Sequence, residues 1–222
     1  MTAPARPRRF VLGITGASGA AYALRLLDQL LLLGHEVHLV VSDYGRRLLF
    51  EEAGIRKLVI DELAPGVIAA SPDPDMRESL DRRLLVHPHQ DVGAVIASGS
   101  FLHDGMAVCP CSSTTLGAIA SGSGSNLLVR AALVTLKERR PLIVCHRETP
   151  LTLIDIENYR TLTLAGAIVC PTNPGFYLNP TRVEDLVDFM AGKVLDLLKV
   201  EHSLATRWEE PAPAERRMPA GP

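Results

Sequence analysis

The stretch Phe10 to Gly19, Phe-Val-Leu-Gly-Ile-Thr-Gly-Ala-Ser-Gly, restricts the fold more than any other part of the chain. A short apolar run breaks into glycines at 13, 16 and 19 and passes at once into the apolar run Ala20 to Leu33. In an α/β sheet, a strand that turns through residues without side chains into a helix lets backbone N–H groups approach a ligand closely. The positive end of the helix dipole then favours an anion there. Thr15 and Ser18 add hydroxyls beside those N–H groups, so a phosphate could be held without a fixed positive charge. The same spacing also suits a tight strand-to-helix turn with no ligand, and the rest of the chain has to decide between the two.

The pattern downstream repeats this plan. A helix is expected from Ser18 to Leu33 with Ser18, Tyr22, Arg25 and Gln29 on one stripe, ended by Gly34 and followed by a strand from Glu36 to Ser42. That is a β-α-β unit of the size of a right-handed crossover. Tyr44 to Ala53 reads as a helix with Glu51 and Glu52 near its end, and residues 54–90 as an irregular segment containing the solvated pair His87 and His89. Further strands are expected at Val92–Ala97, Met106–Cys109, Pro141–Cys145 and Ala167–Cys170, and helices at Leu116–Ala120 and from Asn126 to Lys137. The last helix opens with a Thr181/Glu184 capping box and keeps Lys193 off its apolar stripe. Several strands end in small hydroxyl-rich clusters: Ser98-Gly-Ser100, Cys111-Ser-Ser-Thr-Thr115 and, after Cys170, Pro171 to Tyr177. Parallel strands all point the same way, so these clusters fall on the carboxyl edge, where open α/β sheets bind ligands. The fold class is therefore α/β with a mostly parallel sheet.

Composition narrows the partners. Lys and Arg number 23 against 25 Asp and Glu, a net charge of −2, which gives no electrostatic footprint for nucleic acid or an anionic membrane. The basic, Pro-rich start Met1 to Arg9 lacks the apolar core of a signal peptide, and no run is long enough to span a bilayer, so a cytoplasmic protein is expected. Cys109, Cys111, Cys145 and Cys170 lie in or beside strands as reduced apolar fillers. They have no zinc-ligand spacing, so no metal is expected. The chain divides into a flexible segment 1–9, one α/β domain over 10–200 and a charged tail 201–222, in which Trp208 calls for a packing partner.

Seven motifs taken together resemble the UbiX/Pad1 family of flavin prenyltransferases: Gly-Ile-Thr-Gly-Ala-Ser-Gly (13–19), Ser-Gly-Ser-Phe (98–101), Pro-Cys-Ser-Ser-Thr-Thr-Leu (110–116), Arg-Ala-Ala (130–132), Leu-Lys-Glu-Arg-Arg-Pro-Leu (136–142), Arg-Glu-Thr-Pro-Leu (147–151) and Pro-Gly-Phe-Tyr (174–177). The resemblance runs from Phe10 to Trp208. It implies a Rossmann-like, flavoprotein-type three-layer sandwich assembled as a homo-dodecamer. It also implies transfer of a dimethylallyl group from dimethylallyl phosphate to N5 and C6 of reduced FMN, and a UbiD-type decarboxylase that receives the prenylated FMN. By the same resemblance Gly16, Ala17, Ser18, Ser42, Ser112, Ser113, Thr114, Thr115, Arg130 and Arg147 hold FMN. Lys137, Glu148, Tyr177, Lys193 and Glu52 form the catalytic set around the allyl phosphate. Fixed Lys, Arg and Tyr donors suit a leaving phosphate on which charge develops, without a metal.

The chain departs from that family at three positions. Leu133 replaces an aspartate, Ser125 stands where Asp or Asn is common, and Lys193 replaces an arginine, keeping the charge but losing the bidentate fork. Other readings share parts of the pattern. An FMN-dependent decarboxylase of the cysteine-decarboxylase group has the same cradle but uses a histidine base and an Asn-containing motif that these segments lack. A non-catalytic FMN carrier would follow if Leu133 and Lys193 abolished turnover, and Asp43 after the second strand would suit the ribose of NAD.

Overall fold

The computed structural model describes residues 7–70, 74–204 and 206. The expectations for the first six residues, for Pro72 and for Trp208 with the rest of the tail lie outside them. Six parallel strands form one sheet in the order β3-β2-β1-β4-β5-β6: β1 Arg9–Ile14, β2 Glu36–Val41, β3 Leu84–His87, β4 Gly105–Cys111, β5 Leu142–His146 and β6 Ile168–Val169. β4 and β5 are buried at every residue, which is why they read as unbroken apolar runs.

The two-residue alternation of a strand separates two cores. Phe10, Leu12, Ile14, Leu39, Ala107, Cys109, Ile143 and Cys145 face one side, where α1 (Ala20–Leu32) and α9 (Val183–Leu197) cover them. Val11, Val40, Met106, Val108, Leu142 and Val144 face the other, joined by Cys111 where the pairing of β4 with β5 shifts register after Val108, under α6 (Ser113–Ala120), α7 (Leu127–Lys137) and α8 (Leu153–Ala165). The result is the expected three-layer α/β sandwich. α1 and α9 are tied at mid-height by Arg25, whose Nε donates to Asp188 at 2.5 Å.

Four segments differ from the sequence reading. The described residues between 54 and 90 form α3 (Ile60–Leu63), α4 (Pro65–Ala70), α5 (Pro74–Arg83) and the edge strand β3. The start of α4 is held by buried Asp28 of α1, whose Oδ1 accepts from the Val67 N–H at 2.8 Å, a cap from 39 residues away that periodicity does not reveal. Val92–Ala97 is no strand: Asp91 accepts from Gly93 and Ala94, and the run ends as a single 3-10 turn at Val95–Ala97. α8 goes unanticipated because Leu153, Ile154 and Leu164 on its outer face are exposed, so no 3.6-residue contrast marks it. At the start of α9, Asp185 and not Glu184 accepts from the Thr181 and Arg182 N–H groups. α2 (Asp43–Ala53), by contrast, forms as expected, capped by Ser42.

Candidate functional site

The strand order reverses between β1 and β4, so their two carboxyl ends bound the crevice where ligands of open sheets sit. One buried side chain fastens that crevice. Thr15 donates through Oγ1 to the Pro110 carbonyl at 2.9 Å and accepts from the Ser112 N–H at 2.8 Å, while its own N–H also reaches Pro110. The loops after β1 and β4 are thereby locked together. Gly16 is required by closeness, since a Cβ there would fall 2.4 Å from Cβ of Tyr44. Gly19 is required by conformation, with φ +125°.

A cavity of about 330 Å³ opens beside this clasp, lined by Gly16, Ser42, Asp43, Tyr44, His89, Ser112, Thr114, Thr115, Asn126 and Leu128. Helices α2, α6 and α7 all begin at it. Their caps are Ser42, accepting from Gly45 N–H, Ser112, accepting from Thr115 N–H, and Asn126, accepting from Val129 N–H. Three positive helix ends and a ring of hydroxyls favour a polar, anionic small molecule. A groove of about 390 Å³ lies elsewhere, at the amino edge, but its Arg8, Arg9, Glu36 and Asp104 are engaged in ion pairs with one another.

The glycine loop itself holds an unexpected anion. Oε2 of Glu52 accepts from the N–H groups of Gly19 and Ala20, both at 2.9 Å, so the start of α1 is already capped from within the chain. Burial pushes the Glu52 carboxyl up, but the Ser18 hydroxyl, these two N–H groups and the Arg147 charge outweigh it and hold the group below the ordinary range. Arg147, directly after β5, also lies within electrostatic reach of Tyr22, and its Nε is buried without a hydrogen-bond partner. A buried, unpaired guanidinium N–H is costly and therefore marks a place prepared for an acceptor from outside the chain.

Gly16, Ala17, Ser18, Ser42, Ser112, Ser113, Thr114, Thr115, Arg147 and Glu52 thus gather at one edge, with exposed Glu148 next to Arg147 and exposed Arg130 in the first turn of α7. Lys137 does not join them. It ends α7, five residues before β5 begins at Leu142, and so lies toward the opposite edge, paired with Glu138 at 2.7 Å. Tyr177 packs edge-on against Phe189 of α9 with ring centroids 5.7 Å apart, and Lys193 is exposed on the same helix within electrostatic reach of Cys170. Leu133, the position of the missing aspartate, packs against the second core.

Sequence reasoning weighed Asp43 of the cavity only for the ribose of NAD, gave no site role to Tyr44, His89 and Asn126, and missed a buried network behind it. Nδ1 of His146 lies 2.7 Å from the Tyr159 hydroxyl, and its Nε2 lies 3.0 Å from Oγ of Ser113. The available signal was a histidine closing an otherwise apolar strand just before Arg147. Among the described residues no group of three or more His, Cys, Asp or Glu side chains is arranged to hold a metal, and no helix is long and apolar enough to cross a membrane.

The fold and this crevice define a nucleotide-type α/β site, and comparison with known proteins makes it specific. The sequence model of the Flavoprotein family matches residues 2–197. The flavin prenyltransferase UbiX of Halalkalibacterium halodurans is 44% identical over 205 residues, covering 90% of this chain and 93% of that protein. Mitochondrial flavin prenyltransferase PAD1 of Saccharomyces cerevisiae is 38% identical, covering 94% of this chain and 78% of its own. Among solved structures, AnUbiX (PadA1) in complex with FMN and dimethylallyl pyrophosphate superposes with a TM-score of 0.79 at 37% identity, covering 93% of this chain and 100% of that one. A dodecameric FMN-dependent UbiX-like decarboxylase from Escherichia coli O157:H7 gives 0.78 at 34%, covering 91% and 100%. This chain belongs to the Flavoprotein family and, within it, to the group of UbiX and PAD1.

Proposed function

We propose that the protein is a flavin prenyltransferase, joining a dimethylallyl group from dimethylallyl phosphate to N5 and C6 of reduced FMN. Its product, prenylated FMN, would serve a UbiD-type decarboxylase in the cytoplasm. The observation that carries this reading is the unpaired, buried Nε of Arg147 at the carboxyl end of β5, next to the switch point between β1 and β4, beside a hydroxyl-lined crevice into which three helices point. The donor set fits FMN, an anionic and hydroxyl-rich ligand, and AnUbiX, similar over nearly the whole chain, binds FMN with an allylic pyrophosphate. That complex makes the diphosphate a second donor to be tried.

FMN supplies an electron-rich reduced ring as the acceptor of the allyl group. The chain's residues bind, orient and move protons. Gly16 to Ser18, Ser42 and the Ser112 to Thr115 turn hold the ligand against the sheet edge, and Arg147 donates to it. As the allylic C–O bond breaks, phosphate departs with the electron pair, and Lys137, Lys193 and Tyr177 stabilise the growing negative charge. Glu52, whose carboxylate sits at the glycine loop, would accept the proton released at N5, and Glu148 would exchange a proton with the departing phosphate; closing the second bond, to C6, adds a proton to the allylic double bond and releases one from C6, so it consumes no further species. Since Lys137 lies toward the other edge of its own sheet, it reaches a site only from a second copy of the chain, in keeping with a homo-oligomer, a dodecamer in the E. coli relative.

Incubating purified protein with reduced FMN and dimethylallyl phosphate or diphosphate is expected to yield a flavin heavier by one prenyl unit. No mass shift with either donor refutes the reading, and tight FMN binding without transfer would select the carrier.

A further inference from the structure

Behind the crevice, a side-chain chain crosses from α8 to α6 through the end of β5. Thr152 caps α8 and donates to Oδ2 of Asp155 at 2.6 Å. The side chains of Thr152 and Ser113, then the Thr152 N–H, hold the Asp155 carboxyl down to about 2, so it is ionised and accepts only. Its Oδ1 lies 4.0 Å from Nε2 of His146, so the carboxylate favours a hydrogen, and not a bare lone pair, at Nε2. Nε2–H then donates to Oγ of Ser113, 3.0 Å away, which leaves Nδ1 bare to accept from the Tyr159 hydroxyl at 2.7 Å. His146 is 1% exposed, and burial is the main cause of a lowered pKa, opposed by Asp155 and Glu148 and aided by Arg147, so the ring is neutral. The hydrogens in the row Tyr159, His146, Ser113 thus run one way.

We propose that His146 is a positioning residue for the flavin site: as the Nε2–H tautomer it fixes Ser113, in the first turn of α6 between the cavity-lining residues Ser112 and Thr114. By holding Ser113 it holds the turn that presents Ser112 and Thr114 to the cavity. The adjacent residue on the backbone is Arg147, so the same imidazole also anchors the strand end that presents the guanidinium. This inference rests on the FMN reading, and neither the tautomer nor the network follows from the motifs.

The test is a thermodynamic cycle on FMN affinity, read by quenching of flavin fluorescence, with folding checked by circular dichroism. His146→Leu and Ser113→Ala are each expected to weaken FMN binding about tenfold, the effect of one buried hydrogen bond, and the double variant to be no worse than either. His146→Gln places an amide N–H near Nε2 and is expected to stay within about threefold of the wild type, whereas His146→Asn, which reaches only the Nδ1 position, is expected to behave like leucine. A packing role would not separate glutamine from asparagine in this way. If His146→Leu does not fold, Tyr159→Phe, which removes one oxygen, replaces it: its loss of affinity must vanish in the Ser113→Ala background. Multiplying losses, or glutamine no better than leucine, overturns the proposal. Failure of the wild-type protein to bind FMN would instead overturn the functional reading.

Discussion

Replacing Thr15 by valine tests the clasp on which the whole site depends. The two side chains are nearly isosteric, so the buried packing is kept and only the hydroxyl is lost. That hydroxyl donates to Pro110 at 2.9 Å and accepts from the Ser112 N–H at 2.8 Å. The variant leaves the Ser112 N–H facing a methyl group in a site where Thr15 is 1% exposed. Leaving a buried donor unpaired costs about 2 kcal/mol. For a chain of 222 residues that corresponds to a fall in Tm of roughly 4–8 °C. Thr15→Ser keeps both hydrogen bonds and loses a methyl group, about 1 kcal/mol, so it should lie clearly above valine. The assay is thermal unfolding of all three proteins at one concentration without FMN, followed by FMN titration. The valine variant is also expected to bind FMN more weakly, because the loops after β1 and β4 are no longer held in register. Equal melting of valine and wild type, or serine falling below valine, would refute the argument that the hydroxyl joins the two loops.

Arg147→Gln is expected to weaken FMN binding about 10- to 100-fold, the worth of a charge-assisted hydrogen bond, with Arg147→Lys recovering only part, as isothermal titration would show. The Asp155 carboxyl, held down to about 2, adds stability that is fully present above its unfolded pKa near 4 and lost as pH falls toward 2; the Tm gap between wild type and Asp155→Asn should therefore close across that interval and persist at neutral pH. Lys193→Arg should keep or raise prenyl transfer and Lys193→Ala should impair it; unchanged turnover in the alanine variant would remove this residue from the site.

Much of the fold was legible because its signals are local. The buried runs of β4 and β5, and the alternation that sends Val108 and Cys109 to opposite faces, follow from the two-residue period of a strand. What escaped was long-range or unpatterned: the cap that Asp28 lends to α4, the apolar outer face of α8, and an apolar run at Val92 that the Asp91 turn diverts. The site divides in the same way. Loops at strand ends could be placed from glycines and hydroxyls, but the carboxylate of Glu52 on the start of α1 comes from 33 residues away, and nothing in the glycine spacing announces that the loop is already occupied. Arg130 and Lys137 share a helical face by their spacing of seven, yet that spacing also sets them about 10 Å apart along the axis, toward opposite edges of the sheet.

That separation leads to a prediction that one chain alone cannot satisfy. If Arg147 and Lys137 serve the same reaction, they come from different copies, since in one copy the first lies at the carboxyl edge and the second beyond the other end of α7. Arg147→Ala and Lys137→Ala should each be inactive, but for different reasons. A site formed between them needs Arg147 from a Lys137→Ala chain and Lys137 from an Arg147→Ala chain. Random mixing in equal amounts meets both conditions in roughly a quarter of sites, because each position is filled independently in a symmetric assembly. Co-expressing the two variants should therefore restore about a quarter of wild-type prenyl transfer, whereas mixing the purified assemblies without exchange should restore none. If co-expression gives only the background of the single variants while the mixed assemblies form normally, Lys137 does not act across an interface, and its place in the catalytic set falls with it.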